Sequence, residues 1–140
     1  MAQPITVPIT VRGYETDSQG HLNMSVYVQY AEHARWAMFQ AAGISQAALL
    51  EEGLGPVNLE TTIKYLRELR AGDEVEVTCS LVWGERKTFR IEQTITKKDG
   101  TLSAELSSVG GLLDLKERRM VSDPRERIRA LATEPHILSL

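Results

Sequence analysis

With 140 residues, 42% of them hydrophobic and 25% charged, the chain has the composition of one ordinary globular domain. A net charge of -3 argues against a nucleic-acid-binding protein, and the single cysteine, Cys79, excludes an internal disulfide and a cysteine-based zinc cluster. No apolar run reaches the roughly 18 residues of a membrane span, and the opening M-A-Q-P-I-T-V lacks a basic segment before an apolar one. A cytoplasmic protein without a signal peptide is expected.

Ile5 to Arg12 alternates apolar and polar residues, which predicts a half-buried strand, and Pro8 points to a sheet edge or an irregular start. A polar loop, Glu15 to Met24, follows. From Ser25 the period changes: Tyr27, Tyr30, Ala31, Ala34, Ala37, Met38, Ala41 and Ala42 share one helical face. The alanines let a sheet come close to the helix axis, and Gly43 suits the C′ position. Ser45 to Leu54 predicts a short second helix.

Three strand-like runs come next. Val57, Leu59, Ile63 and Tyr65 alternate with polar residues, as do Val75, Val77, Cys79, Leu81 and Trp83, and then Phe89, Ile91 and Ile95. Lys98-Asp99-Gly100 is a hairpin signal. Beyond it, Leu102, Ala104 and Leu106 lie on even positions and Val109, Gly111, Leu113 and Leu115 on odd ones. That switch predicts a bulge or bend near Ser107 to Gly111. Asp123, Pro124 and Glu126 open a final short helix as N-cap, first helical residue and N3. One long helix and five antiparallel strands segregate along the chain, so the fold class is α+β. A single helix covers only one face of such a sheet, and oligomerisation is the natural expectation.

The loop and helix start carry the chemistry-bearing residues. A helix N-terminus presents unpaired N–H groups and about half a positive charge, suited to a carbonyl oxygen. Asp17, His21 and Asn23 lie just before it. Each also has an ordinary explanation. D-S-Q-G fits a type I turn with Asp17 first and Gly20 fourth, a loop histidine bonds to backbone, and asparagine is a leading N-cap residue.

The pattern Arg12, Tyr14, Asp17, Gly20, His21, Asn23, Tyr27, Glu32, Ala34, Arg35, followed by Ile63, Tyr65, Arg70, Gly72 and Asp73, resembles the hotdog-fold acyl thioesterases. The similarity is to the 4-hydroxybenzoyl-CoA thioesterase-like branch and covers about residue 5 to residue 115. It implies a hotdog fold, in which a long helix is wrapped by a five-stranded sheet, followed here by a short C-terminal helix. It also implies subunits joined edge to edge, as a homodimer or homotetramer, with active sites between them. The implied reaction is hydrolysis of an acyl thioester carried by CoA or an acyl carrier protein, with no cofactor, no metal and no nucleic acid. Carried over by position, Asp17 is the acid, as general base or nucleophile. The N–H of Asn23 or Met24 holds the carbonyl oxygen, with Ser25 close by and His21 in support.

Glu32, placed on the helix, and Glu60, on a strand, are reserve carboxylates. Glu32 and Arg35 sit three residues apart, where an ion pair is the ordinary reading. Ser25 and Tyr27 are candidates to contact substrate. Lys116, Arg118 and Arg119, and the strand-face Lys64, Arg67, Lys87 and Arg90, are the cations available to phosphates. Tyr65 and Trp83 line an acyl pocket or simply pack the core, and Cys79 reads as a buried small hydrophobe. Two other readings stand beside the hydrolase. One is a non-catalytic acyl-CoA-binding or sensing module. The other is an enoyl-thioester hydratase, disfavoured because Asp17 and His21 are four apart with no intervening proline.

Overall fold

Alternating β-branched and polar residues favour extended chain, and turn glycines mark where each strand must reverse. A computed structural model describes residues 4–140. Residues 1–3, where the stretch read for targeting begins, lie outside the described part. In chain order the elements are β1 (Ile5–Thr10), α1 (Met24–Ala41), α2 (Gln46–Glu51) and β2 (Leu54–Tyr65). There follow β3 (Glu74–Trp83), β4 (Thr88–Lys97), β5 (Leu102–Asp114), β6 (Arg119–Met120) and α3 (Pro124–Leu131). The sheet order is β1-β3-β4-β5-β2, every pairing is antiparallel, and the two-residue β6 adds to the end of β5. This is the α+β hotdog arrangement. No described helix is long and apolar enough to cross a membrane.

α1 lies against β3 and β1, with Tyr27, Tyr30, Ala31, Ala34 and Met38 buried along it. Ala34 has no exposed surface, and the facing strands contribute Val75, Val77, Cys79, Leu81, Ile91 and Ile95. The small side chains bring the sheet near enough for the buried Gln93 amide on β4 to donate to the Ala31 carbonyl at 2.8 Å. A close packing surface read from sequence thus becomes a polar tie between helix and sheet. Ala41 differs from the expected face and is exposed. The end of α1 meets the C-terminal segment instead, with Thr133 donating its N–H to the Ala42 carbonyl at 2.9 Å.

Gly43 does end the helix, at φ 90°, and a Cβ there would stand 2.0 Å from Thr133 Oγ1. The tail beyond Met120 packs down through Val121, Ile128 and Leu138, and the Trp83 indole N–H donates to the Leu138 carbonyl at 2.8 Å. Trp83 therefore serves the core and the tail, meeting Phe89 edge to face. Cys79 is buried, and burial pushes its thiol up to about 12.

The bulge or bend expected near Ser107 to Gly111 does not lie in β5 itself, which pairs with β4 without interruption from Ala104 to Gly111; a bulge does stand opposite Val109 and Gly110, in the neighbouring β2. Its even positions remain on the helix side throughout, through Ser108, Gly110 and Leu112. The hydrophobic pattern shifts because the inner positions become small, not because the strand turns over. A Cβ at Gly110 would lie 3.2 Å from the Phe89 ring, which fills that space. The irregularity falls on the partner strand, where Leu59 is an extra residue between Asn58 and Glu60. A bulge there bends β2 and turns Leu59 outward. The outer sheet face is polar, carrying Thr78, Ser80, Glu92, Thr94, Glu105 and Ser107, as alternation requires. Both β1 and β2 are edges.

Candidate active site

Asp17 organises the loop it sits in. Its Oδ1 accepts the N–H of Gln19 at 2.9 Å and of His21 at 3.1 Å. Its own N–H donates to the His21 carbonyl at 2.7 Å, and the Gly20 N–H, where φ is 78°, donates to the Asp17 carbonyl at 3.0 Å. The turn reading of D-S-Q-G is therefore present in the molecule. Those N–H bonds to Oδ1 stabilise the ionised form and hold the Asp17 carboxyl below its ordinary value. Oδ2 has no hydrogen-bond partner among the described residues.

The loop returns to the helix through Leu22, whose N–H donates to the Leu69 carbonyl at 2.7 Å. Asn23 is the N-cap of α1: its Oδ1 accepts the Ser25 N–H at 3.0 Å and the Ser25 hydroxyl at 2.9 Å. The Asn23 N–H is engaged as well, donating to the Glu15 carbonyl at 2.9 Å. Met24 is different. Its N–H meets no acceptor among the described residues. Of the two donors left open by sequence, Met24 is the free one.

A cleft of about 370 Å³ opens at this junction, lined by Asp17, His21, Leu22, Asn23, Met24, Tyr27, Tyr65, Leu66, Arg67 and Glu68. Tyr27 and Tyr65 meet edge to face, with centroids 4.9 Å apart at 89°, and the Tyr65 hydroxyl donates to the Met24 carbonyl at 3.1 Å. Burial pushes the Tyr27 hydroxyl above its ordinary value. The cleft thus has an ionised carboxylate and a free N–H at one end and aromatic and aliphatic walls beside them.

Glu68 was not singled out by the sequence. It contacts His21 Nε2 and lies 3.4 Å from Arg70 Nη2. It reaches the cleft because residues 21 and 70 form an isolated antiparallel bridge, a contact with no local signal. Glu15 was also overlooked. Its Oε1 accepts the Tyr30 hydroxyl at 2.6 Å beneath the loop.

The structure thus brings Asp17, His21, Asn23, Met24, Tyr27, Tyr65 and Arg67 together. It leaves the other candidates elsewhere. Ser25 is spent on the cap. Glu32 is exposed on α1, outside the cleft lining, and forms no ion pair with Arg35 among the described residues. Glu60 is exposed beside the β2 bulge. Lys116, Arg118 and Arg119 sit in the β5–β6 turn, whose Asp114 Oδ1 accepts the N–H of Lys116 and Glu117, each at 3.0 Å. The cleft abuts the other end of β5, at Ser103, whose Oγ donates to the Arg67 carbonyl at 2.7 Å. At about 3.3 Å per residue, that turn is roughly 36 Å away along the strand. Lys64, Lys87 and Arg90 line none of this cleft.

The cap reading of Asn23 makes a clear forecast. Asn23→Ala should destabilise the fold by about 1 kcal/mol in chemical denaturation, whereas Asn23→Ser should retain both stability and any turnover. Loss of turnover in the serine variant would instead make Asn23 a reacting group.

The chain resembles known proteins over most of its length. Residues 11–133 match the family model of the thioesterase-like superfamily. The chain is 35% identical over 71 residues to the chloroplast acyl-acyl carrier protein thioesterase ATL3 of Arabidopsis thaliana, covering 51% of this chain and 37% of that protein. It is 34% identical over 96 residues to Protein THEM6 of Xenopus laevis, covering 68% and 46%. It therefore spans less than half the length of these two curated relatives. In three dimensions it matches a Staphylococcus aureus protein solved in complex with CoA, with a TM-score of 0.82 at 23% identity over 93% of this chain and 84% of that one. At that identity the likeness concerns the fold. Together with the match across residues 11–133, these findings establish that the chain belongs to the thioesterase-like superfamily.

Proposed function

We propose that this protein hydrolyses an acyl thioester of CoA or of an acyl carrier protein to a free acid and a thiol. The observation that carries the reading is the cleft in which Asp17 Oδ2 and the Met24 N–H are both without partners among the described residues, beside Tyr27 and Tyr65. The thioester carbonyl oxygen lies against the Met24 N–H, and water held at Oδ2 adds to the carbonyl carbon. The water's proton passes to Asp17 Oδ2 as it adds, and the tetrahedral species then expels the thiolate, which takes that proton and leaves Asp17 ionised again. A preorganised N–H donor of this kind is worth about 3–4 kcal/mol to such a transition state. With its other oxygen already hydrogen-bonded, Asp17 is fully charged at neutral pH but a weakened base, so orienting water and direct attack are both open to it. Membership of the thioesterase-like superfamily supports the reaction class, and the name of the ATL3 relative supports a carrier-protein thioester beside a CoA one.

The working unit is a homodimer joined along the unpaired edge of β2, with pairing of two dimers into a tetramer a further step. The exposed apolar residues Met24, Leu59, Tyr65 and Leu66 lie on or beside that edge. In an antiparallel pairing centred on the middle of β2, residue 65 faces residue 54 of the second copy. Because Leu54 pairs with Asp114, the second copy's basic turn comes within about two strand spacings, roughly 10 Å, of the first copy's cleft. Lys116, Arg118 and Arg119 then reach a substrate phosphate across the interface, which they do not within one subunit.

A hydrolysis screen over acyl-CoAs and acyl carrier proteins, reading released thiol, tests the assignment. Turnover of at least one thioester is expected. Binding of every candidate without turnover would favour the acyl-CoA-sensing reading instead.

A further inference from the structure

Beneath the loop lies a polar pair, Glu15 and Tyr30, neither of which lines the cleft. The Glu15 side chain is 9% exposed and Tyr30 is 3% exposed. Glu15 Oε1 accepts the Tyr30 hydroxyl at 2.6 Å and the Arg12 N–H at 2.8 Å, and Oε2 lies 3.3 Å from Arg12 Nη1. The same residue's carbonyl accepts the Asn23 N–H at 2.9 Å. Residue 15 therefore ties the end of β1, the second turn of α1 and the helix N-cap to one point. Asp17 follows two positions later.

Protonation at this point is fixed. Burial alone would raise the Glu15 carboxyl, but the bonds from Tyr30 and Arg12 outweigh it and hold it below its ordinary value. Burial and the neighbouring carboxylate push the Tyr30 hydroxyl up. Neither group changes charge near neutral pH, so the pair acts as a strut and not as a proton relay.

The geometry points to Glu15 and Tyr30 as a positioning pair that holds the Asp17 carboxylate and the Met24 N–H in register across the cleft. The assignment rests on the thioester-hydrolase reading above. Addition to a carbonyl needs the attacking group and the oxygen's donor placed together, and a displacement of about 1 Å lowers rate by roughly a hundredfold. Asp17 and Met24 lie on opposite arms of one loop. The Glu15–Asn23 and Asp17–His21 backbone bonds join those arms, and the Tyr30 hydroxyl anchors the first arm to the buried face of the helix. Without that anchor the Glu15 side chain is held only by the exposed Arg12, two residues beyond β1.

The test is Tyr30→Phe in the full chain. Expected is a fall in kcat of about 10- to 100-fold with KM changed less than about threefold, measured well below the melting temperature. A purely structural role would lower the melting temperature and leave kcat intact. Glu15→Gln, which retains an acceptor for the Tyr30 hydroxyl, should lose less than Glu15→Ala. In an Asp17→Asn background, Tyr30→Phe should lower the residual rate by no more than about threefold, because the two act through one arrangement. A full multiplicative loss there would overturn the proposal. Amide exchange at Asn23 should also quicken about tenfold or more in Tyr30→Phe, while core strand amides stay protected. That measurement needs no substrate: inactivity of the parent on every thioester would refute the hydrolase reading, and unchanged Asn23 exchange would refute the strut.

Discussion

Asp17→Asn is expected to lower kcat by two or more decades while leaving the fold intact, on the general-base scale of about 10²–10⁴. The substitution isolates charge from shape. Asparagine keeps an Oδ1 that accepts the Gln19 and His21 N–H bonds, so the turn and the helix start should stay where they are. It replaces the unpartnered Oδ2 with an amide nitrogen, which neither orients water through a lone pair nor attacks a carbonyl.

The pH dependence provides an independent check. Because its folded pKa is depressed below the ordinary 3.8, Asp17 stays ionised as pH falls from neutral towards that value. The acidic limb of kcat/KM should accordingly lie below about pH 4, and Asp17→Asn should abolish it. The linkage has the same sign. Stability from the ionised Asp17 is present above the unfolded pKa and is lost as pH falls through the folded one. Stopped-flow thiol release across the pH range reads the first, and chemical denaturation at the same pH values reads the second. Unchanged turnover by the asparagine variant would reject Asp17 and pass the role to Glu32, Glu60 or Glu68.

Leu59→Glu should separate the proposed dimer into monomers and remove most of the turnover with it. Leu59 is the extra residue of the β2 bulge and is 54% exposed on an edge with no partner strand in the subunit. Long strand edges that expose apolar side chains of this kind are covered or paired in working proteins. In the pairing that sets residue 65 opposite residue 54, residue 59 faces Glu60 of the second copy, so across the two-fold axis the new carboxylate meets a like charge twice, a juxtaposition that costs several kcal/mol. Sedimentation should give a dimer for the parent and a monomer for the variant. Turnover in the variant should fall at least tenfold at dilute protein and recover as concentration rises, since mass action restores the pair. A fully active monomeric parent would refute both the shared interface and the use of a second copy's Lys116, Arg118 and Arg119.

Much of the scaffold was legible because its signals are local. Alternation marked β1 to β5, the change of period at Ser25 marked α1, and Gly43 marked its end. The reading failed where a local pattern had two causes. At Ser107 to Gly111 a parity switch suggested a bulge or bend in β5, but the bulge lies in the facing β2, and the Phe89 ring takes the space that a larger side chain at Gly110 would need. Ala41 was assigned to the buried face from periodicity, which carries no information about what packs against the last helical turn.

By itself the sequence determined the segregated order of helix and strands, and the collection of Asp17, His21, Asn23 and Met24 at one helix start. Those residues are neighbours in the chain, so no tertiary contact is needed to gather them. Tertiary structure decided the rest. It engaged the Asn23 N–H with Glu15 and left that of Met24 free. It brought Tyr65, Arg67 and Glu68 to the cleft by pairing residue 21 with residue 70, and carried the basic turn to the far end of β5. Hydrogen-bond saturation and strand register depend on residues distant in the chain, and so did every choice among the nearby candidates.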